Sequence, residues 1–473
     1  MKRITALPYV FALTGVMLIV SCQKETDNKQ DLTKKRPDGT IELTDYEIAS
    51  IAYANPKELS PEEVLGIVRN FEDSVSQAPG TKSTSKSTFT IIGKSYTDGK
   101  GKLSQLPTKG SSETKVPVFN VAVKKGKQSG VAVVSGDERV PLVIAYMPEL
   151  KENEDPMLLI SRLSLVDKVK EVERIVDSLY TPTVSKLKLK FGNLPDNNVY
   201  DYVKNNITSR NAIPTSKSTV TYSISNVISR VGPLTATAWT QHDPFNGKMA
   251  IGTTCSDPTS PYPAGCFVIA AAQIMAFYRP NVQVNVNGGL TPLQWDPILA
   301  DPWGGDYFMN PNTYNHLTGF IKTVFDGCNT TPSCDGSSTN SSNGIAYLRQ
   351  TLNVNNGIAL NMTDIKSSLD QLKLVLATGY REPNNDGDPK VGHAWVIDGY
   401  AVTRLNPGES IVGNAVWQRY NMYVHCNMGW GDFYAGMGYY LVGKDNVGSL
   451  TFAPNLAQEY KLNLSFFSNI SKK

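Results

Sequence analysis

Hydrophobic and polar positions recur along the chain with two different periods, and the switches between them predict its elements. From Pro61, the apolar residues Leu65, Val68 and Phe71 return at helical spacing. Ahead of them, Ser60-Pro61-Glu62-Glu63 supplies a capping hydroxyl, Pro at the first helical position and a carboxylate at the third, which predicts a helix over 61–77. A Ser-, Thr- and Lys-rich loop follows at 78–88. Three runs then read as strands separated by turns: 116–123, 130–135 and 141–146. Helical periodicity returns over 157–180. Residues 41–190 are therefore expected to form a small α+β domain.

The pattern then fades. Residues 205–220 are polar, poor in aromatics and carry Arg210 and Lys217, which suits an interdomain linker open to proteases, and 191–227 is assigned to it. Beyond 228 the composition changes, with every Trp of the chain between 239 and 430. A second domain is expected over 228–473, in line with a length of 473 residues that exceeds one compact core. Its most apolar stretch runs from Cys266 to Arg279 without Gly or Pro, directly after Pro263-Ala264-Gly265. This predicts a largely buried helix with Cys266 at its start. Gly392 to Tyr400 reads as a strand in which His393, Trp395 and Ile397 share one face, and Tyr423 to Asn427 as a second strand able to pair antiparallel with it.

The first residues have a different logic. Lys2 and Arg3 precede an apolar run, Ala6 to Val20, that is too short for a typical spanning helix and ends in Ile19-Val20-Ser21-Cys22, similar to a bacterial lipobox. The expectation is a lipoprotein signal peptide over 1–21, a lipid on Cys22 and a tether over 22–40. The product would be exported and held at a membrane, at the outer membrane or cell surface, with release possible after later cleavage. The plainer alternative is an ordinary signal peptide with an incidental cysteine. A net charge of +3 over this length lacks the concentrated basic footprint of a nucleic-acid binder.

Cys255, Cys266, Cys328, Cys334 and Cys426 remain after Cys22, an odd number that leaves at least one thiol. Cys328 and Cys334 lie close together in the turn-rich segment Asp326 to Gly336, so a local disulfide is expected there. With no histidine or further cysteine nearby, a metal site is the weaker reading of that pair, and no metal or cofactor is expected. A cysteine at a helix start has chemical consequences. The unpaired N–H groups and the partial positive charge favour a thiolate and can donate to an oxyanion. The bland reading is a small buried residue in a core helix.

Of the four histidines, His242, His316, His393 and His425, the third opens a strand after the Gly/Asn/Asp-rich loop Pro383 to Gly392, where an imidazole can serve as general base. Asn427 on the next strand is placed to accept a hydrogen bond from that ring, and Trp430 to shield it. His425 is the rival base.

Four segments taken together resemble the streptopain family of papain-fold cysteine peptidases, peptidase family C10. They are Trp239-Thr-Gln241-His-Asp-Pro-Phe-Asn246, Gly265-Cys266 with the helix through Gln273, Gly392-His393-Ala-Trp-Val-Ile-Asp-Gly-Tyr400, and His425-Cys-Asn427-Met-Gly429-Trp430-Gly431. The resemblance implies an α+β, papain-like catalytic domain in which Cys266 and His393 form the dyad, Asn427 orients the histidine and Gln241 donates on the oxyanion side. Gly265, Gly392 and Trp430 would line or shield the cleft. Gly130 to Asp137 resembles part of the family's pro-domain, which also exists as a separate inhibitor. That implies a zymogen cut between 205 and 230, its own pro-domain as inhibitor, and proteins or peptides as substrates. Met428 and Asp432 depart from the family's usual Trp and Gly, and 300–342 looks like an insertion. A papain-like amidase or transglutaminase, a non-catalytic surface-binding lipoprotein and an inhibitor with a dead peptidase half remain as alternatives.

Overall fold

The computed structural model describes residues 41–76, 87–99, 103–104, 115–148, 163–195, 197–206, 227–300, 310–359, 361–381, 392–404, 420–431, 437–442 and 460–473. The expected signal peptide, Cys22 and the expected tether lie outside these residues, as does 207–226 of the expected linker.

Capping sets where the first helices begin. Thr44 and Glu47 close a reciprocal capping box on α1 (Asp45–Ala52), with N···O distances of 2.6 and 3.1 Å. Ser60 and Glu63 do the same for α2 (Pro61–Ser76), which starts where the sequence predicts. An antiparallel sheet follows, made of β1 (Thr88–Thr97), β2 (Leu103–Ser104), β3 (Val116–Lys125), β4 (Gln128–Ser135) and β5 (Val143–Met147). The last three are the expected strands. Then come α3 (Leu163–Phe191), which runs well past the expected 180 with Pro182 inside it, and α4 (Val199–Asn206). α4 falls in the segment assigned to the linker, yet Val199, Tyr200 and Val203 are buried in the same core as α1 and α2. The N-terminal domain therefore extends to residue 206 rather than 190, and three apolar residues on one short helix are what hold its end.

The second domain begins with β6 (Val227–Val231) and continues through α5 (Cys266–Tyr278), β7 (Gln283–Val286), β8 (Gly289–Pro292), α6 (Trp295–Leu299), α7 (Pro311–Gly327), α8 (Ser341–Thr351), β9 (Leu352–Asn353) and α9 (Met362–Asp370). It closes with β10 (Val375–Arg381), β11 (Gly392–Arg404), β12 (Tyr420–Asn427), β13 (Gly438–Leu441), β14 (Tyr460–Phe467) and β15 (Ser471–Lys472). The expected α+β arrangement is present, with a cysteine-bearing helix against an antiparallel sheet that carries the histidine.

The two domains share one sheet, in the order β14-β10-β11-β12-β13-β5-β4-β3-β1-β2, with β6 also paired to β11. The junction is β13 against β5, where Tyr439 and Tyr440 face Tyr146 and Ala145. Phe71 of α2 packs edge-on to Tyr423, with ring centroids 4.7 Å apart, and the Tyr423 hydroxyl donates to the Val143 carbonyl at 2.9 Å. The period of two along β11 separates two cores. Trp395 and Ile397 enter the core shared with the N-terminal domain, whereas Ala394 and Val396 enter the core built around α5 and α7. The segment 300–342, read as an insertion, supplies that second core with Leu317, Phe320, Ile321 and Val324 from α7.

The disulfide differs from expectation. Cys334 bonds to Cys255, across 79 residues and with Cα atoms 5.4 Å apart, and not to Cys328. Cys328 sits at the C-cap of α7 with its side chain fully buried in the core, where burial pushes its thiol up to about 12. Cys426 is likewise a buried thiol on β12. Replacing Cys255 by Ser should therefore lower stability by about 2–4 kcal/mol, whereas Cys328→Ser should leave the cross-link in place. Peptide mapping without reduction, together with denaturation midpoints, checks both.

Candidate active site

α5 is apolar on every side, and a helix of that kind must be buried. Phe267 through Ala276 are all buried, and each large side chain among them gains roughly 1.5–3 kcal/mol from leaving water. That anchoring fixes the helix start. Its N-cap, Gly265, has φ +93 and offers no capping side chain, in contrast to the Asn caps of α7, α8 and α9. The first N–H groups of α5 thus have no side-chain acceptor at the N-cap, and Cys266, half-buried, stands among them.

The thiol meets the start of β11. Burial raises its pKa, and the opposing contributions come from the backbone N–H groups of Ala394, Phe267 and Cys266 itself. His393 is the residue next to Ala394 and is 6% exposed. Its Nε2 lies 3.0 Å from the Met428 carbonyl oxygen. A carbonyl only accepts, so Nε2 carries the proton in the neutral ring and Nδ1 carries the lone pair. The Trp430 ring lies 4.9 Å from the imidazole at a 32° tilt, and Trp395 stacks on it at 6.1 Å and 12°. Burial draws the His393 pKa down to about 4, only partly offset by donation to Met428.

The depressed pKa has a consequence for stability. Below 6.5 the unfolded chain takes up a proton at His393 that the folded chain refuses until about 4. Stability present above pH 6.5 is lost as pH falls through 4, by about 3 kcal/mol in all. Denaturation of the wild type and His393→Gln at pH 7 and pH 4 should show this loss in the wild type and its absence in the variant.

Asn427 does not occupy its expected role. It faces Val396 directly across the β11–β12 ladder, and directly paired residues project to the same side. Val396 enters the core around α5, and the Asn427 amide is turned to the same side. Its Nδ2 donates to the carbonyl of Thr237 (2.6 Å) and to Gln273 Oε1 (2.9 Å). Its Oδ1 accepts from Gln273 Nε2 (3.2 Å) and from the Gly429 N–H (3.1 Å). The acceptor for His393 is a backbone carbonyl, so Met428 in place of the family's Trp costs nothing at that bond.

Gln273 is the residue that sequence reasoning left without a role. Fully buried, it clamps Asn427 and accepts from the Trp239 N–H at 3.3 Å. The signal was available: it is the one amide side chain on an apolar helix, seven residues after Cys266 and so on the same stripe.

The remaining expected residues fall as follows. Gln241 is half-buried and reaches the nucleophile turn through its backbone, its carbonyl accepting from the Ala264 N–H at 2.8 Å. Gly392 is the exposed first residue of β11, and the loop before it, 382–391, lies outside the described residues. His425 is buried away from solvent with Nδ1 2.6 Å from Asp398 Oδ1. Asp398 Oδ2 also accepts from the Thr235 N–H (3.0 Å) and hydroxyl (2.6 Å), which makes this a closed structural pair.

No curated protein matches the sequence significantly. Among solved structures the chain is similar to a fragment of Prevotella intermedia prointerpain A, at 16% identity over 75% of this chain and 96% of that one, with a TM-score of 0.41. It is also similar to active wild-type Prevotella intermedia interpain A cysteine protease, at 17% identity over 52% and 97%, with a TM-score of 0.36. The model of the Peptidase C10 family matches residues 239–440, a span that contains Cys266, His393, Asn427 and Gln273. Over these residues, somewhat under half of its length, the chain is similar to the Peptidase C10 family.

Proposed function

We propose that the chain is made as an exported, lipid-anchored zymogen and that its second domain hydrolyses peptide bonds in proteins with Cys266 as nucleophile and His393 as general acid and base. The observation that carries this reading is the thiol at the uncapped start of α5, against the Ala394 N–H and one residue from His393. The Cys266 proton passes to Nδ1 of His393, and Sγ attacks the substrate carbonyl carbon. The Cys266 N–H, with Gln241 as a candidate partner, stabilises the oxyanion; one such donor is worth roughly 3–4 kcal/mol. His393 returns the proton to the leaving amine, and water hydrolyses the thioester.

Latency follows from the shared sheet and core. The N-terminal domain lies against the side of β11 that carries Trp395 and Ile397. The neighbour described as prointerpain is a pro-form, and the same organisation is proposed here, with cleavage between 205 and 230. Lipidation of Cys22 and membrane anchoring rest on the leader sequence alone. Incubation of purified precursor followed by intact-mass spectrometry tests the proposal. Fragments ending between 205 and 230 are expected from the wild type, and the same fragments from Cys266→Ala, with other proteases excluded, would refute it.

A further inference from the structure

The hairpin between α7 and α8 has no part in the chemistry above, yet it holds the turn that presents Cys266. After Cys328 the chain doubles back, and Thr331 and Ser338 exchange backbone hydrogen bonds of 2.9 Å each. Between them lie Cys334, bonded to Cys255, and Ser337, a hydroxyl that is 5% exposed. Ser337 Oγ donates to the Pro263 carbonyl at 2.5 Å. The Ser337 carbonyl oxygen stands 2.5 Å from where a Cβ on Gly265 would be, so only glycine fits at the N-cap.

From the other side, the Gln241 carbonyl takes the Ala264 N–H. Three successive residues of the nucleophile turn are thus gripped by two segments far apart in sequence. Cys255 belongs to the same side as Gln241. Its loop is closed by Gly252 N–H to the Ser260 carbonyl and Tyr262 N–H to the Ala250 carbonyl, both 2.9 Å. Asn246 Nδ2 adds bonds to the carbonyls of Pro261 (3.1 Å) and Tyr262 (3.3 Å). The disulfide therefore ties together the two arms that hold Pro263 to Gly265.

We propose that Ser337, with the Cys255–Cys334 bond that fixes its hairpin, is a positioning residue for Cys266. It acts through the Pro263 carbonyl to set the direction of the Cys266 N–H and thiol. The proposal rests on Cys266 being the nucleophile. Gly265, lacking a side chain, does nothing to restrain its own φ of +93, so the restraint comes from these external contacts. A turn released by a fraction of an ångström lowers the rate of attack, because reacting atoms must meet in near-attack geometry, while remote substrate contacts stay as they were.

The test compares processed wild type, Ser337→Ala, Ser337→Thr and the double variant Cys255→Ser/Cys334→Ser. For each, kcat and KM are measured on an unstructured protein substrate, and alkylation of Cys266 by iodoacetamide is followed across pH. Ser337→Ala and the double variant should lose about tenfold or more in kcat with KM within about twofold, and their alkylation profiles should move to higher pH. Ser337→Thr should restore most of the rate. Unchanged kcat and alkylation in both variants would overturn the proposal. So would a loss that matches the fraction of enzyme unfolded by circular dichroism. Wild type with no Cys266-dependent activity would fail the peptidase mechanism itself, a result distinct from an active wild type beside a fully active Ser337→Ala.

Discussion

Cys266→Ala is expected to abolish peptide hydrolysis and self-processing, with kcat falling at least about 10⁴-fold while the precursor stays folded. The size of the effect follows from covalent chemistry, since no other described thiol can substitute. Cys328 and Cys426 are fully buried in the two cores, and Cys255 and Cys334 are bonded to each other. Folding should survive, because Cys266 is half-buried at a helix start and Ala is a better helix former. Unprocessed full-length protein from Cys266→Ala, with an unchanged denaturation midpoint, is the predicted outcome. Self-cleavage at the wild-type rate would remove Cys266 from the mechanism.

Much of this site was readable from residue order, and the limits were physical. The helix of Cys266 was legible because an apolar run without breakers after Pro-Ala-Gly permits little else. The shared face of His393 and Trp395 followed from the strand period, and their stacked rings agree with it. What depended on register was not legible. Asn427 was near enough to His393 in strand order, but a shift of one residue decides which side of a sheet a side chain takes. Here the pairing with Val396 sends it toward α5 and Gln273. The disulfide failed for a related reason. Cys328 and Cys334 are neighbours in sequence, but the last turn of α7 aims Cys328 into the core, and the hairpin carries Cys334 to Cys255. The end of the N-terminal domain was missed because α4 has only a few apolar residues in a polar stretch, and its helicity comes from tertiary burial.

His393→Gln is expected to lower kcat by about 10³-fold or more, whereas His425→Gln should leave it within a few-fold and lower stability instead. The two histidines lie on neighbouring strands and are separated by what they touch. His393 keeps Nε2 on a carbonyl and so presents Nδ1 as the basic nitrogen, beside the strand residue whose N–H meets the Cys266 thiol. Gln at 393 can still donate an amide N–H to the Met428 carbonyl under Trp430, so packing is retained and only the proton-accepting nitrogen is lost. His425 is held by Asp398, which is itself fully buried and tied to Thr235. Removing the imidazole takes one donor from a buried carboxylate, a loss of about 1–3 kcal/mol that should appear in the denaturation midpoint. The pH dependence discriminates further. The acid limb of kcat/KM should vanish from the residual activity of His393→Gln and persist in His425→Gln. The reverse pattern would identify His425 as the base and require β11 and β12 to rearrange in the active form.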